Sequence, residues 1–202
     1  MAMPCRYSAR VMTARVPTEP ARARGSVVIG MKSAALELWG PDAVASLARS
    51  LSPEARVAIF DDLLLPMGWI AESSVVEFWR AAYEGPLGAR EEALVRYVER
   101  AVVHGWGRFR KVFVGLMTPA LLTERAPALW RHDHTHGVIE ATMLGNAGVV
   151  RLIGHEYGAS SVACRFMAAS FHAIVAMSRA RHVTSSYSVD ERRALTVRLA
   201  WK

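Results

Sequence analysis

An α+β domain, with an N-terminal helical part followed by a β-β-α-β-β antiparallel sheet covered by helices, is the fold this sequence predicts. Three observations lead there. Before about residue 137 the apolar residues recur at helical spacing. Beyond it they alternate as in strands, with one long apolar helical stretch between two strand pairs. Clusters of turn residues separate the members of each pair, and helices first, strands later is the order of an α+β chain.

Residues 1–24 read as a basic disordered tail, because Pro4, Pro17 and Pro20 lie among scattered Arg and Ala with no sustained period. A short helix at 31–39 is closed by Gly40-Pro41, and Asp42 caps the next, at 43–50. Ser52-Pro53-Glu54 supplies a Ser N-cap with Pro in the first turn, for a helix reaching Leu64. Pro66-Met67-Gly68-Trp69 is a turn, and Ser73 or Ser74 caps a helix running to Tyr83. The longest predicted helix spans 89–116, where Leu94, Val98, Ala101, Gly105, Phe109, Val112 and Leu116 form one stripe. Gly105 and Gly107 lie within it and point to a kink or the close approach of another element. Thr118-Pro119 opens a helix that ends between Trp130 and His132. Strands follow at 138–144 and 149–153, then an apolar helix at 160–178, then strands at 183–189 and 194–201.

The length of 202 residues fits one domain, residues 25–202, behind the tail. Apolar residues make up 52% of the chain against 21% charged, enough to fill a sizeable core. The net charge is +7, of which residues 1–25 hold +4 through five arginines against Glu19 alone. Basic tails can bind nucleic acid, but this one has no aromatic besides Tyr7, so a solvated extension is expected and a nucleic-acid partner is not. Two cysteines, Cys5 and Cys164, cannot build a disulfide framework, which fits a reducing, cytoplasmic setting. The longest apolar stretch, 162–177, carries Arg165 and His172 and falls short of the roughly 20 residues of a membrane helix. No membrane association is therefore expected.

Several landmarks give the chain a family likeness. They are Arg24-Gly25-Ser26-Val27, Leu51-Ser52-Pro53-Glu54, Leu65-Pro66 with Trp69, Thr118-Pro119, Ala128-Leu129-Trp130-Arg131 with Gly137, and the closing strand up to Trp201. In their order and spacing the chain resembles a family of uncharacterised proteins of about this length found mainly in myxobacteria. That family is itself distantly similar to the four-vinyl-reductase type of small-molecule-binding domain. The resemblance implies the same helical-then-β-β-α-β-β fold, a small apolar ligand and pairing into a homodimer. Some related domains carry two metal-binding cysteines in the last hairpin; Ser188 and Leu195 stand at those positions here, which implies no thiolate site.

Among residues that carry chemistry, the segment Trp130-Arg131-His132-Asp133-His134-Thr135-His136-Gly137 is the densest. In an extended chain His132, His134 and His136 share a face; in a helix only His132 and His136 do. Either arrangement offers two imidazoles to a transition metal, with Asp133 as an oxygen donor. The plain alternative is a polar helix end whose histidines meet free carbonyls. His104, on the long helix beside Gly105-Trp106-Gly107, has the form of an axial haem ligand or a general base, and equally of a hydrogen-bonded structural histidine. His172 follows Phe171 on the late apolar helix and is suited to orienting a polar group of a ligand. No nucleophile elbow, phosphate loop or dinucleotide fingerprint is present.

These readings favour a small-molecule-binding or regulatory, sensor-like domain without catalytic activity, holding a small apolar or aromatic molecule and working through a protein partner. The expected ligand residues are His104, Trp106, Phe109, Trp130, Phe171 and His172, around an apolar cavity of about 300 Å³ or more. No cofactor and no bound metal are expected. Two alternatives stand beside this reading: a metal-dependent enzyme centred on His132, His134 and His136, and a ligand-free interaction adaptor.

Overall fold

The computed structural model describes residues 19–106, 112 and 114–202, and its first element is strand β1 (Arg22–Arg24). β1 pairs antiparallel with β2 (Trp69–Ala71), with Ala23 opposite Ile70. Ala23 is fully buried, so part of the segment expected to be a tail belongs to the body of the protein. Three residues are too few to show a period, and this strand exists through pairing with a partner some fifty residues away rather than through its own pattern. Residues 1–18 lie outside the described residues.

Helix α1 (Gly25–Ser50) joins the two predicted helices across a break at Gly40, whose φ of 78° and ψ of 170° interrupt the helical path. Such a φ suits glycine, and the extended ψ is what a following proline requires, so Pro41 restarts the helix from its first turn. Ser52 caps α2 (Pro53–Arg56) by accepting the Ala55 N–H, and the chain continues as a π-helical turn, Val57–Asp61. Helix α3 (Glu72–Glu84) follows β2 directly. Helix α4 (Glu91–Gly105) is shorter than the predicted 89–116 and closes with Trp106 N–H on the Val102 carbonyl. Residues 114–116 are helical again; Gly107 and Phe109 lie outside the described residues.

The reason α4 packs as it does lies in two glycines. A Cβ on Gly30 of α1 would stand 2.3 Å from the Ala101 carbonyl oxygen, and one on Gly105 would stand 2.8 Å from the Ser26 carbonyl oxygen. The two helix backbones therefore touch where no other residue would fit.

Helix α5 (Pro119–Asp133) begins at the Thr118 cap, whose hydroxyl accepts the Leu121 N–H. Strands β3 (Val138–Leu144) and β4 (Ala147–Ile153), helix α6 (Ser161–Ala176), and strands β5 (Thr184–Val189) and β6 (Leu195–Ala200) complete the chain. The sheet is antiparallel throughout, in the order β3-β4-β6-β5. Ile139, Val150, Leu152, Leu195, Val197 and Leu199 point inward and are buried. Val138, Glu140, Leu144 and Arg198 point outward and are exposed. This alternation is that of a sheet with one face covered and one wet. The fold class read from the sequence is thus the fold observed. Among the described residues no helix is long and apolar enough to cross a membrane.

The core joins the helices to the inner sheet face. Trp79 of α3 stacks on Phe166 of α6 at 5.1 Å, and Trp39 of α1 stacks on Tyr97 of α4 at 4.8 Å. The Tyr97 hydroxyl, wholly buried, donates to the Met31 carbonyl at 3.0 Å, which meets the hydrogen-bonding demand of a polar group out of water.

Candidate functional site

Where α1, α3, α4, α5 and α6 meet the inner sheet face, an apolar cavity of about 150 Å³ remains. Its walls include Trp79, Trp106, Trp130, His134, Phe166 and Phe171. Two of its hydroxyls are satisfied within their own helices: Thr123 donates to the Pro119 carbonyl and Ser170 to the Phe166 carbonyl. The lining is therefore mainly apolar, with Asp133 and His134 as its ionisable groups, and its volume is half the value expected from the sequence.

Of the expected ligand residues, Trp106, Trp130 and Phe171 do line this cavity. His104 does not: its Nε2 lies 2.7 Å from Glu37 of α1, on the outer side of α4. It sits a quarter-turn from Gly105, and Gly105 is the residue that faces inward. His172 turns toward the sheet edge, with Nδ1 3.1 Å from the Ser185 hydroxyl, while its neighbour Phe171 takes the inward direction. Phe109 lies outside the described residues.

The three clustered histidines part company. His132 is half exposed and pairs with Asp133 at 2.7 Å. His136 Nδ1 meets the Thr135 hydroxyl at 2.8 Å, and its carbonyl accepts the Trp130 indole N–H. Of the three, His134 lines the cavity, stacked on Trp130 with ring centres 3.8 Å apart. The helix ends between His132 and His134, so neither the shared helical face nor the shared extended face forms. His134 instead joins residues that the sequence did not single out. Among the described residues, the one group of His, Cys, Asp or Glu donors converging within 4.8 Å is Glu72, His134 and His155.

Glu72 is the first residue of α3 and has no exposed surface. Its Oε1 accepts from His134 Nδ1 at 2.7 Å, and its Oε2 lies 2.6 Å from His155 Nε2. That second contact is close but poorly aligned, so Oε2 and Nε2 both lack a proper hydrogen bond, as does the buried hydroxyl of Tyr157 beside them. Burial raises the Glu72 carboxyl, but the His134 hydrogen bond and the close His155 imidazole outweigh it and bring it from 4.5 down to about 2. Glu72 is thus an anion at ordinary pH. Burial, then the charges of Glu72 and Glu156, hold the Tyr157 phenol well above its usual range, so it stays a neutral donor.

The proton positions decide what this cluster is. His155 Nδ1 accepts the Tyr157 backbone N–H at 3.1 Å, which leaves the ring proton on Nε2, facing the carboxylate. A metal ligand needs the opposite arrangement, a bare Nε2 and a donating Nδ1. Tetrahedral zinc also spaces its N and O donors about 3.3 Å apart, whereas the contacts here are 2.6 and 2.7 Å. The geometry is that of a carboxylate shared between imidazoles, and hydrogen bonding accounts for it better than metal ligation does.

No sequence signal links these residues: Glu72 lies 62 positions before His134. Only an acid at the start of a helix and a His-Glu-Tyr run after a strand were visible, and both are common.

No family model matches the chain, and no curated protein matches it. Its likenesses are to solved structures. One is an H-NOX protein from S. oneidensis in the Fe(II) ligation state, 10% identical, with a TM-score of 0.64 over 89% of this chain and 96% of that one. Another is an oxygen-binding H-NOX domain related to soluble guanylate cyclases, 12% identical, TM-score 0.61, covering 89% and 95%. A third, from work on heme distortion in the H-NOX family, is 13% identical, TM-score 0.57, covering 89% and 95%. At such identities the likeness is one of fold.

Proposed function

We propose that this chain is a small-molecule-binding, sensor-like domain without catalytic chemistry, acting in the cytoplasm as a homodimer and passing its state to a protein partner. The observation that carries the reading is the partly open cavity of about 150 Å³ walled by Trp79, Trp106, Trp130, Phe166 and Phe171. A cavity of that size with apolar walls accepts a single aromatic ring such as benzene. The similarity to H-NOX folds supports a sensor role, and the homodimer rests on the family resemblance.

The haem of those neighbours does not fit the residues present here. The cavity is well below the roughly 300 Å³ at which cofactor pockets begin. Among the described lining residues none is Lys or Arg, the partners that haem carboxylates call for. The one imidazole in the wall, His134, is already held by Glu72 and by the Trp130 stack. With Asp133 in the wall and no Lys or Arg among the described lining residues, the ligand class is a molecule of about one ring that carries no negative charge.

Calorimetry and thermal melts with benzene, toluene and indole test this. Binding at one per chain with a raised Tm is the expected result. Absence of binding by all three, or a stable one-to-one complex with added hemin, would overturn it.

A further inference from the structure

The Glu72 cluster stands between the cavity and the N-terminal ribbon, and one short segment carries both connections. The His134 ring is part of the cavity wall. Its backbone bridges to Ala23 of β1. On either side, Thr135 N–H donates to the Arg22 carbonyl at 3.0 Å, Arg22 N–H donates to the Thr135 hydroxyl at 2.9 Å, and Arg24 Nε donates to the His132 carbonyl at 3.0 Å. From the other strand, Glu72 follows β2 directly, and its N–H donates to the Ala21 carbonyl at 2.9 Å. No residue of β1 or β2 lines the cavity. The ribbon is nonetheless fastened to the cavity wall at His134 and Glu72.

The fastening has two arrangements available. Three donors surround one carboxylate: His134 Nδ1, His155 Nε2 and the Tyr157 hydroxyl. Only the first makes a well-formed hydrogen bond, while the other two are buried and unmet. A small turn of the Glu72 side chain changes which donors are satisfied, without opening the core. Buried networks that can be completed in more than one way are the bistable elements that ligands bias.

We propose that occupancy of the cavity is relayed through the Trp130–His134 stack to Glu72, and is read out in how firmly the β1–β2 ribbon is held. A molecule packed against Trp130 and His134 restrains the stack and keeps Nδ1 on the carboxylate. Emptying the cavity frees the stack, lets Glu72 turn, and loosens the ribbon. This regulation rests on the ligand-binding reading above.

Hydrogen exchange of the full chain, with and without saturating toluene, tests the relay while calorimetry reports binding separately. Amides of residues 22–24 and 69–72 are expected to exchange about tenfold more slowly with toluene bound. Amides of β5, remote from the cluster, serve as the reference for any general stabilisation, and must slow by less. Glu72→Gln should bind toluene but lose the ribbon-specific slowing. Thr135→Val, which removes a ribbon hydrogen bond outside the cavity, should speed ribbon exchange with affinity unchanged, and so provides a check should Glu72→Gln fail to fold. Toluene binding with no ribbon-specific effect would overturn the relay and leave the cavity reading intact. Absence of binding by toluene, benzene and indole alike would overturn both.

Discussion

Replacing Glu72 with Gln probes the one charged residue with no exposed surface among the described residues. In the folded protein the carboxyl titrates at about 2, against 4.5 ordinarily. Because the folded value is the lower one, ionised Glu72 stabilises the fold. That contribution is complete above about pH 4.5 and disappears as pH falls toward 2. At about 1.4 kcal/mol per pH unit, the interval is worth roughly 3 kcal/mol. Glu72→Gln keeps the shape but supplies only a neutral acceptor to His134 and His155, so a loss of about 3 kcal/mol at pH 7 is expected. Urea denaturation of both proteins from pH 7 to pH 2 gives the comparison. Other carboxylates titrate in the same range, so the decisive quantity is the difference between the two curves. That difference should stay constant above pH 5 and close toward pH 2. Parallel curves across the whole range would refute an ionised, imidazole-bound Glu72.

Three further outcomes can be checked directly. Ala126 lines the cavity, so Ala126→Leu should fill it, raising stability by about 1 kcal/mol and abolishing the toluene response in calorimetry. A chain starting at residue 19 should melt like the full protein, whereas one starting at residue 25 loses β1 and buried Ala23 and should melt about 5–10 °C lower. Gly105→Ala would press a methyl group against the Ser26 carbonyl and should cost about 1–3 kcal/mol in a denaturant titration.

Wherever a local pattern does the work, the sequence is readable. The four strands of the main sheet and α6 show their periods openly, and Ser52 and Thr118 cap helices where their hydroxyls suggest. Three failures share one cause, which is distance along the chain. β1 has no period and is made by its partners. α4 ends at Gly105, short of the predicted 116, where its backbone lies against α1. Likewise the site: Trp106, Trp130 and Phe171 stand out in the sequence as large aromatic residues and line the cavity, whereas His104 and His172, close to Trp106 and Phe171 in sequence, turn elsewhere. Glu72, His155 and Tyr157 come together only in the folded chain.

The attachment of β1 to the segment after α5 also sets an order of events during synthesis. Arg22 and Thr135 are 113 residues apart, so β1 must wait, its hydrogen-bonding edge open, until most of the chain has left the ribosome. Contacts of such long range are the slow ones to form. In the interval an unpaired strand edge beside the apolar turn Leu65–Trp69 is available to other nascent copies. That closure joins nearly the first described residues to a segment two-thirds of the way along the chain, before the strands of the main sheet at residues 138–200 are complete.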